Sequence, residues 1–270
     1  MTKTTIHRIS LLLALGVTTL LFGGCGSMPI FISTDQEIAL GEEAAPEFQT
    51  ELGGAVDNQQ LQDYIQAVGL KVSAESDREM PYDFVLVNTD VPNAMALPGG
   101  KIFLTAGLMK LMDNEQQLAA VLGHETAHVA QRHNVRMIQD QMGIAVLASL
   151  AGAAGGEGAE AGTQIVGAMF SLSYSRENEF EADEFGAKYI ESAGYNPYGM
   201  VELLEVLYSL HEEEPGKMEE MFMTHPITSE RIENIRSTLI EEGSYSDQTP
   251  DPNAARFRAM HQLLVETLGQ

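Results

Sequence analysis

The chain is expected to be mainly α-helical with one small β-sheet, an α+β fold, because three kinds of segment follow one another along its 270 residues. Apolar residues recur at helical spacing from Asp35 to Leu52 and again from Asp57 to Ser76. Short β-type stretches come next, and the region from Ala106 to about Leu210 then reads as helical almost throughout.

The two opening stretches are therefore taken as amphipathic helices. Tyr82 to Thr89 alternates larger apolar residues such as Phe84 and Leu86, and Lys101 to Thr105 is a second strand after the Pro98-Gly99-Gly100 turn. Between them, Asn93-Ala94-Met95-Ala96-Leu97 is an extended segment closed by a proline, which places it at the edge of the sheet. The glycine-rich stretch Gly152 to Gly162 and the turn Gly194-Tyr195-Asn196-Pro197 interrupt the long helical region. Ala148 to Gly162 reads as a partly disordered loop, a candidate lid, or a place of close helix packing. The acidic segment His211 to Glu220 is expected to be a solvated loop, and Gly243 to Asn253 a polar linker. In the tail, Phe257, Met260, Leu264 and Leu268 share one helical face that docks on the domain.

A composition of 44% hydrophobic residues is enough for a substantial core. The net charge of -24 repels phosphates and anionic lipid headgroups, which excludes nucleic acid as a partner class. Lys3, His7 and Arg8, the apolar run Ile9 to Phe22 and then Gly23-Gly24-Cys25 form an export signal, too short to span a bilayer. Small residues just before the only cysteine resemble a bacterial lipobox, with Cys25 as the lipidated N-terminus, and Gly26 favours the outer membrane. The expected organisation is a lipoprotein signal peptide over 1–24, a lipid-anchored linker over 25–34, a catalytic domain over 35–242, and a linker with a C-terminal amphipathic helix over 243–270.

His124-Glu125-Thr126-Ala127-His128 carries the strongest chemical signal. Histidines four apart on a helix stand one above the other, so two imidazoles can share one metal ion. Glu125 points about 100° around the helix, close enough to reach a metal-bound water and serve as general base. Leu118, Val121, Leu122 and Val129 place this helix in the core, where imidazole nitrogens need partners. One zinc ion is the expected cofactor.

A catalytic zinc needs a third protein ligand. Glu179, Ala182, Asp183, Gly186, Ala187 and Ile190 share one helical stripe whose small residues allow close approach of another helix. Two acids on such a face need a partner, so Glu179 is taken as the third ligand and Asp183 as the acceptor that orients a ligating histidine. Glu177, Glu181 and Glu184 fall on other faces and are expected to meet solvent. His133, nine residues past His124, cannot reach the same metal from the same helix and is taken as structural or as a supporting residue.

Together with Thr224-His225-Pro226 and Arg231, these motifs resemble the gluzincin metalloproteases that include CAAX prenyl proteases, HtpX-like membrane proteases and BepA-like periplasmic proteases. The resemblance covers roughly residues 35–240, and the exported branch fits best. It implies a zincin fold, with Asn93, Ala94, Met95 and Ala96 as the substrate-binding edge strand. It also implies that His225 approaches the zinc, either covering the fourth position at rest or stabilising the oxyanion, and that Arg231 supports the transition state. The tetratricopeptide domain of the BepA-like members is not expected in this chain, so their partner contacts are not carried over.

The function expected is a periplasmic zinc metalloendopeptidase, lipid-anchored to the outer membrane and acting on misfolded or unassembled envelope proteins. Contact with outer-membrane assembly machinery is a further candidate. The rivals are a zinc hydrolase acting on cell-wall peptides and a chaperone-like assembly factor with a structural zinc.

Overall fold

A computed structural model of the chain describes residues 29–143, 149, 160–171, 173–214, 216, 218–243 and 251–269. Cys25, the export signal and nearly all of 148–159 lie outside the described residues. From Phe31 onward the chain forms one compact unit.

A capping box in which Ser33 and Gln36 bond each other's backbone opens α1, Thr34–Glu51. Asn58 caps α2, Gln59–Ser73. Three strands follow: β1 (Asp83–Val87), β2 (Ala94–Ala96) and β3 (Lys101–Thr105). β3 lies in the middle, parallel to β1 and antiparallel to β2, so β2 is an edge strand. The turn at Pro98–Gly100 needs glycine: Gly99 has φ 86°, and a Cβ there would meet Ile38 Cα at 2.6 Å, which is where α1 seats on the sheet.

After α3, Ala106–Met109, Asn114 caps α4, Glu115–Ala130, whose residues are all buried. This helix is the axis of the core. The stretch predicted as continuous with it ends one residue later, because Gln131 and left-handed Arg132 (φ 60°) turn the chain into α5, His133–Met142. His133 therefore opens a second helix, which corrects the expectation that it lies farther along the first.

The remaining helices are α6 (Glu160–Ser171), α7 (Arg176–Ser192), α8 (Tyr198–Glu213), α9 (Glu219–Thr224), α10 (Ser229–Gly243) and α11 (Ala254–Leu268). Ser175 caps α7 by accepting from Asn178 N. The acidic segment predicted as one loop is divided, with its start in the last turn of α8 and its end in the first turn of α9. On α11, Phe257 and Leu264 are buried and Met260 and Leu268 pack against the core from its margin. Arg256 of that helix pairs with buried Glu115 at the start of α4, and Tyr64 and Tyr195 donate to the same carboxylate at 2.9 and 3.1 Å. Among the described residues, no helix is long and apolar enough to cross a membrane.

Candidate metal centre

α4 sets His124 and His128 one turn apart, with their Nε2 atoms 3.0 Å from each other. α7 crosses α4 closely because both contact surfaces carry glycine. A Cβ on Gly186 would lie 3.0 Å from His124 N, and one on Gly123 would lie 3.1 Å from Gly186 O. Two turns before Gly186, Glu179 reaches the pair, with Oε1 3.3 Å from His128 Nε2 and Oε2 3.6 Å from His124 Nε2.

These spacings fit zinc. Ligands held tetrahedrally at about 2.0–2.1 Å from the ion lie about 3.3–3.4 Å from one another. The donor set is two imidazoles and one carboxylate, all buried, and His225 completes a group of four whose ligand atoms lie within 4.8 Å of one another. Charge agrees as well. When ionised, the buried carboxylates Glu125, Glu179 and Asp183 outnumber the buried guanidinium of Arg231 by two, the charge of one zinc ion.

A second tier fixes these groups. Asp183 Oδ1 stands 3.0 Å from His124 Nδ1, an ion-pair contact without hydrogen-bond alignment. Arg231 grips Asp183 with Nε and Nη2, donates Nη1 to Pro226 O at 3.1 Å, and contacts Glu179. Burial would raise the Glu179 carboxyl, but Arg231 first, then His225 and the two α4 histidines, hold it well below the ordinary carboxylate range. Burial lowers His128 far below its usual value, so its ring is neutral and a lone pair is free for a cation. Burial works the same way on His124, but Asp183 and Glu179 outweigh it and raise that imidazole.

Glu125 is 1% exposed, and burial raises its carboxyl despite the opposing pull of His225 and His124. A raised carboxylate suits a base that must take and return a proton near neutral pH. His225 donates through Nδ1 to Glu179 Oε1 at 3.1 Å, while its Nε2 stands 3.7 Å from Glu125 Oε1. Tyr174, not singled out from the sequence, stacks on His128 with ring centroids 3.8 Å apart, and its buried hydroxyl has no hydrogen-bond partner among the described residues. Its only cue was its position just before the helix that bears Glu179.

Asn93, Ala94, Met95 and Ala96 lie along the sheet edge, but all are buried. Ladder bonds to β3 fall at Asn93 and Leu97, which turns the backbone of Ala94 and Ala96 outward. There Ala94 N donates to Asn93 Oδ1 at 2.9 Å, and Asn134 Nδ2 lies 3.5 Å from Ala96 O. A small apolar cavity beside Glu125 and His225 is walled by Val121, Met200, Leu203, Leu207 and Met221.

A buried helix with paired histidines and an acid between them, completed by a glutamate from a second helix, defines a zinc metallopeptidase. Residues 58–239 match peptidase family M48, and the chain belongs to that family. Among curated relatives, it is 33% identical over 221 residues to the Beta-barrel assembly-enhancing protease of Yersinia pestis, covering 76% of this chain and 44% of that protein. It is 27% identical over 256 residues to Metalloprotease LoiP of Escherichia coli strain K12, covering 87% of this chain and 98% of that protein. Mitochondrial metalloendopeptidase OMA1 of Schizosaccharomyces pombe is 29% identical over 239 residues, covering 85% and 70%. The chain thus spans less than half the length of the assembly-enhancing proteases it matches.

Proposed function

We propose that this chain is an endopeptidase that cleaves misfolded or unassembled polypeptides in the bacterial envelope. The observation that carries the proposal is the convergence of His124, His128 and Glu179 on one point, with the buried carboxylate of Glu125 beside it. When bound there, zinc supplies Lewis acidity that polarises a carbonyl and acidifies water. Glu125 is placed to take a proton from the attacking water and to return it to the departing amine. Arg231 acts through Glu179 and Asp183, which occupy its guanidinium, and so is a positioning residue. His225 faces both Glu125 and Glu179, within reach of the metal point or of an oxyanion formed next to it.

An extended substrate would add a strand along Ala94 to Ala96 once Asn134 releases the Ala96 carbonyl, so main-chain bonds would set its direction. The apolar cavity beside Glu125 favours an apolar side chain next to the scissile bond. Envelope substrates are supported by the role for which the assembly-enhancing relatives are named and by the export pattern of the first 25 residues. We also propose periplasmic location with lipidation at Cys25, in the outer membrane, and contact with the outer-membrane assembly machinery. Loss of metabolic fatty-acid labelling in Cys25→Ala tests the anchor.

Purified Glu125→Gln should keep zinc and lose cleavage of an unfolded protein such as casein. Retained cleavage would remove the general-base role. Casein cleavage by the wild type also separates an endopeptidase from a hydrolase confined to cell-wall peptides. A chaperone-like role with structural zinc is disfavoured by Glu125, since a structural site needs no base. In living cells, Glu125→Gln should trap unassembled envelope proteins.

A further inference from the structure

We propose that His133 and Glu181 form a relay that locks the ligand imidazole of His128 in one tautomer, an inference that rests on the metal site described above. His128 turns Nε2 toward Glu179 and His124, and its other nitrogen, Nδ1, lies 3.1 Å from His133 Nδ1. The rings meet edge to face, with centroids 5.1 Å apart and planes at 74°. His133 is fully buried, and its Nε2 lies 3.1 Å from Glu181 Oε2.

Two neutral imidazole nitrogens facing each other can share only one proton, so the pair has two possible directions. A carboxylate accepts and cannot donate, so Glu181 draws the His133 proton to Nε2. His133 Nδ1 is then a lone pair that accepts from His128 Nδ1-H, which leaves the His128 Nε2 lone pair facing the metal point. In the opposite direction, His133 Nε2 and Glu181 would oppose lone pairs, and His128 would aim a proton where the cation belongs. Every atom has a partner in one direction alone.

The fold provides this contact deliberately at a break in the helix. Arg132 adopts φ 60°, and its guanidinium is held by buried Glu37 at 2.9 Å and by Ile32 O at 2.9 Å. That grip turns His133 back across His128 instead of onward along α4. Glu181 lies two residues from both Glu179 and Asp183, so α7 presents the ligand, the acid beside His124 and the anchor of the His128 relay. Glu181 was expected to meet only solvent; its side chain is 44% exposed, and its inner oxygen bonds His133.

Chelator competition for zinc and imidazole nitrogen NMR on the zinc-loaded full chain test the relay. His133→Ala and Glu181→Lys should weaken zinc binding about 10- to 100-fold, the usual effect of losing a group that orients a metal ligand. Glu181→Gln should restore binding to within about threefold, because its carbonyl still accepts from His133. Exposed Glu177→Lys on the same helix should leave affinity unchanged. In the wild type, needing no variant, NMR should place protons on His128 Nδ1 and His133 Nε2. The reverse tautomers, or wild-type affinity in Glu181→Lys, would overturn the relay while leaving the metal site intact. A wild type that binds no zinc would overturn both.

Discussion

The guanidinium of Arg231 forks onto Asp183, with Nε 2.8 Å from Oδ2 and Nη2 2.7 Å from Oδ1. Asp183 in turn faces His124 Nδ1 at 3.0 Å, so α10 secures a metal ligand on α4 through an acid on α7. Removing Arg231 would strand two buried carboxylates. Arg231→Met is therefore expected to cost about 3–5 kcal/mol of stability in the zinc-free chain. Arg231→Lys keeps the charge but loses the planar fork, and should fall between the two. Denaturant unfolding with zinc chelated checks the order, and a loss in Arg231→Met below about 1 kcal/mol would contradict the clamp.

Gly186 is where α7 touches the backbone of α4. A Cβ there would stand 3.0 Å from His124 N and 3.1 Å from Gly123 C, atoms that cannot rotate away. Gly186→Ala is expected to lower stability by about 1–3 kcal/mol and to weaken zinc binding, since it pushes Glu179 and Asp183 off the histidines. Thermal unfolding with a zinc titration measures both effects, and an unchanged or raised melting temperature would show that the helices are not in contact there.

The hydroxyl of Tyr174 is buried without a hydrogen-bond partner among the described residues, and burial, with the charges of Glu125 and Glu179, keeps the phenol protonated. Tyr174→Phe keeps the ring on His128 and removes the unsatisfied group. The variant should be more stable than the wild type, by up to about 1–3 kcal/mol, with zinc content unchanged. A less stable variant would mean that the hydroxyl is bonded.

Four phenols away from the metal make the fold sensitive to alkali. Burial pushes Tyr82 up to about 12, and burial first raises Tyr64, Tyr195 and Tyr189, with Glu115 adding to it at Tyr64 and Tyr195. Unfolded phenols ionise at about 10, so folded chains hold protons that unfolded chains release. The stability they contribute is whole below about pH 10 and is lost as pH rises through the folded values, at about 1.4 kcal/mol per pH unit for each phenol. Denaturant midpoints across that range should fall steeply, and less steeply in Tyr82→Phe. A flat profile would contradict the shifts.

Much of this molecule is readable from local pattern. The α+β class and the helices bearing His124, His128 and Glu179 follow from periodicity, which repeats every few residues and survives folding, and the edge position of Ala94 to Ala96 follows from Pro98, which cannot sit in a central strand. Long-range partners do not leave such a trace. Arg231 sits between Glu230 and Glu233 in the chain, yet it binds Asp183 and Glu179 from another helix, while Glu230 binds Arg176 and Glu233 binds Arg236. His133 was placed by extending a helix that Arg132 ends, because a left-handed arginine held by Glu37 has no local signature. The divided acidic segment shows the same limit: its charges suggested solvent, while Met218 and Met221 anchor helix around them.

Zinc per chain, measured on the wild type, Glu125→Gln and Glu179→Ala purified side by side, tests the central claim most directly. One ion in each of the first two and almost none in the third is the expected result. A full complement of zinc in Glu179→Ala would mean that another group, with His225 the nearest, completes the site, and the ligand set assigned here would be wrong.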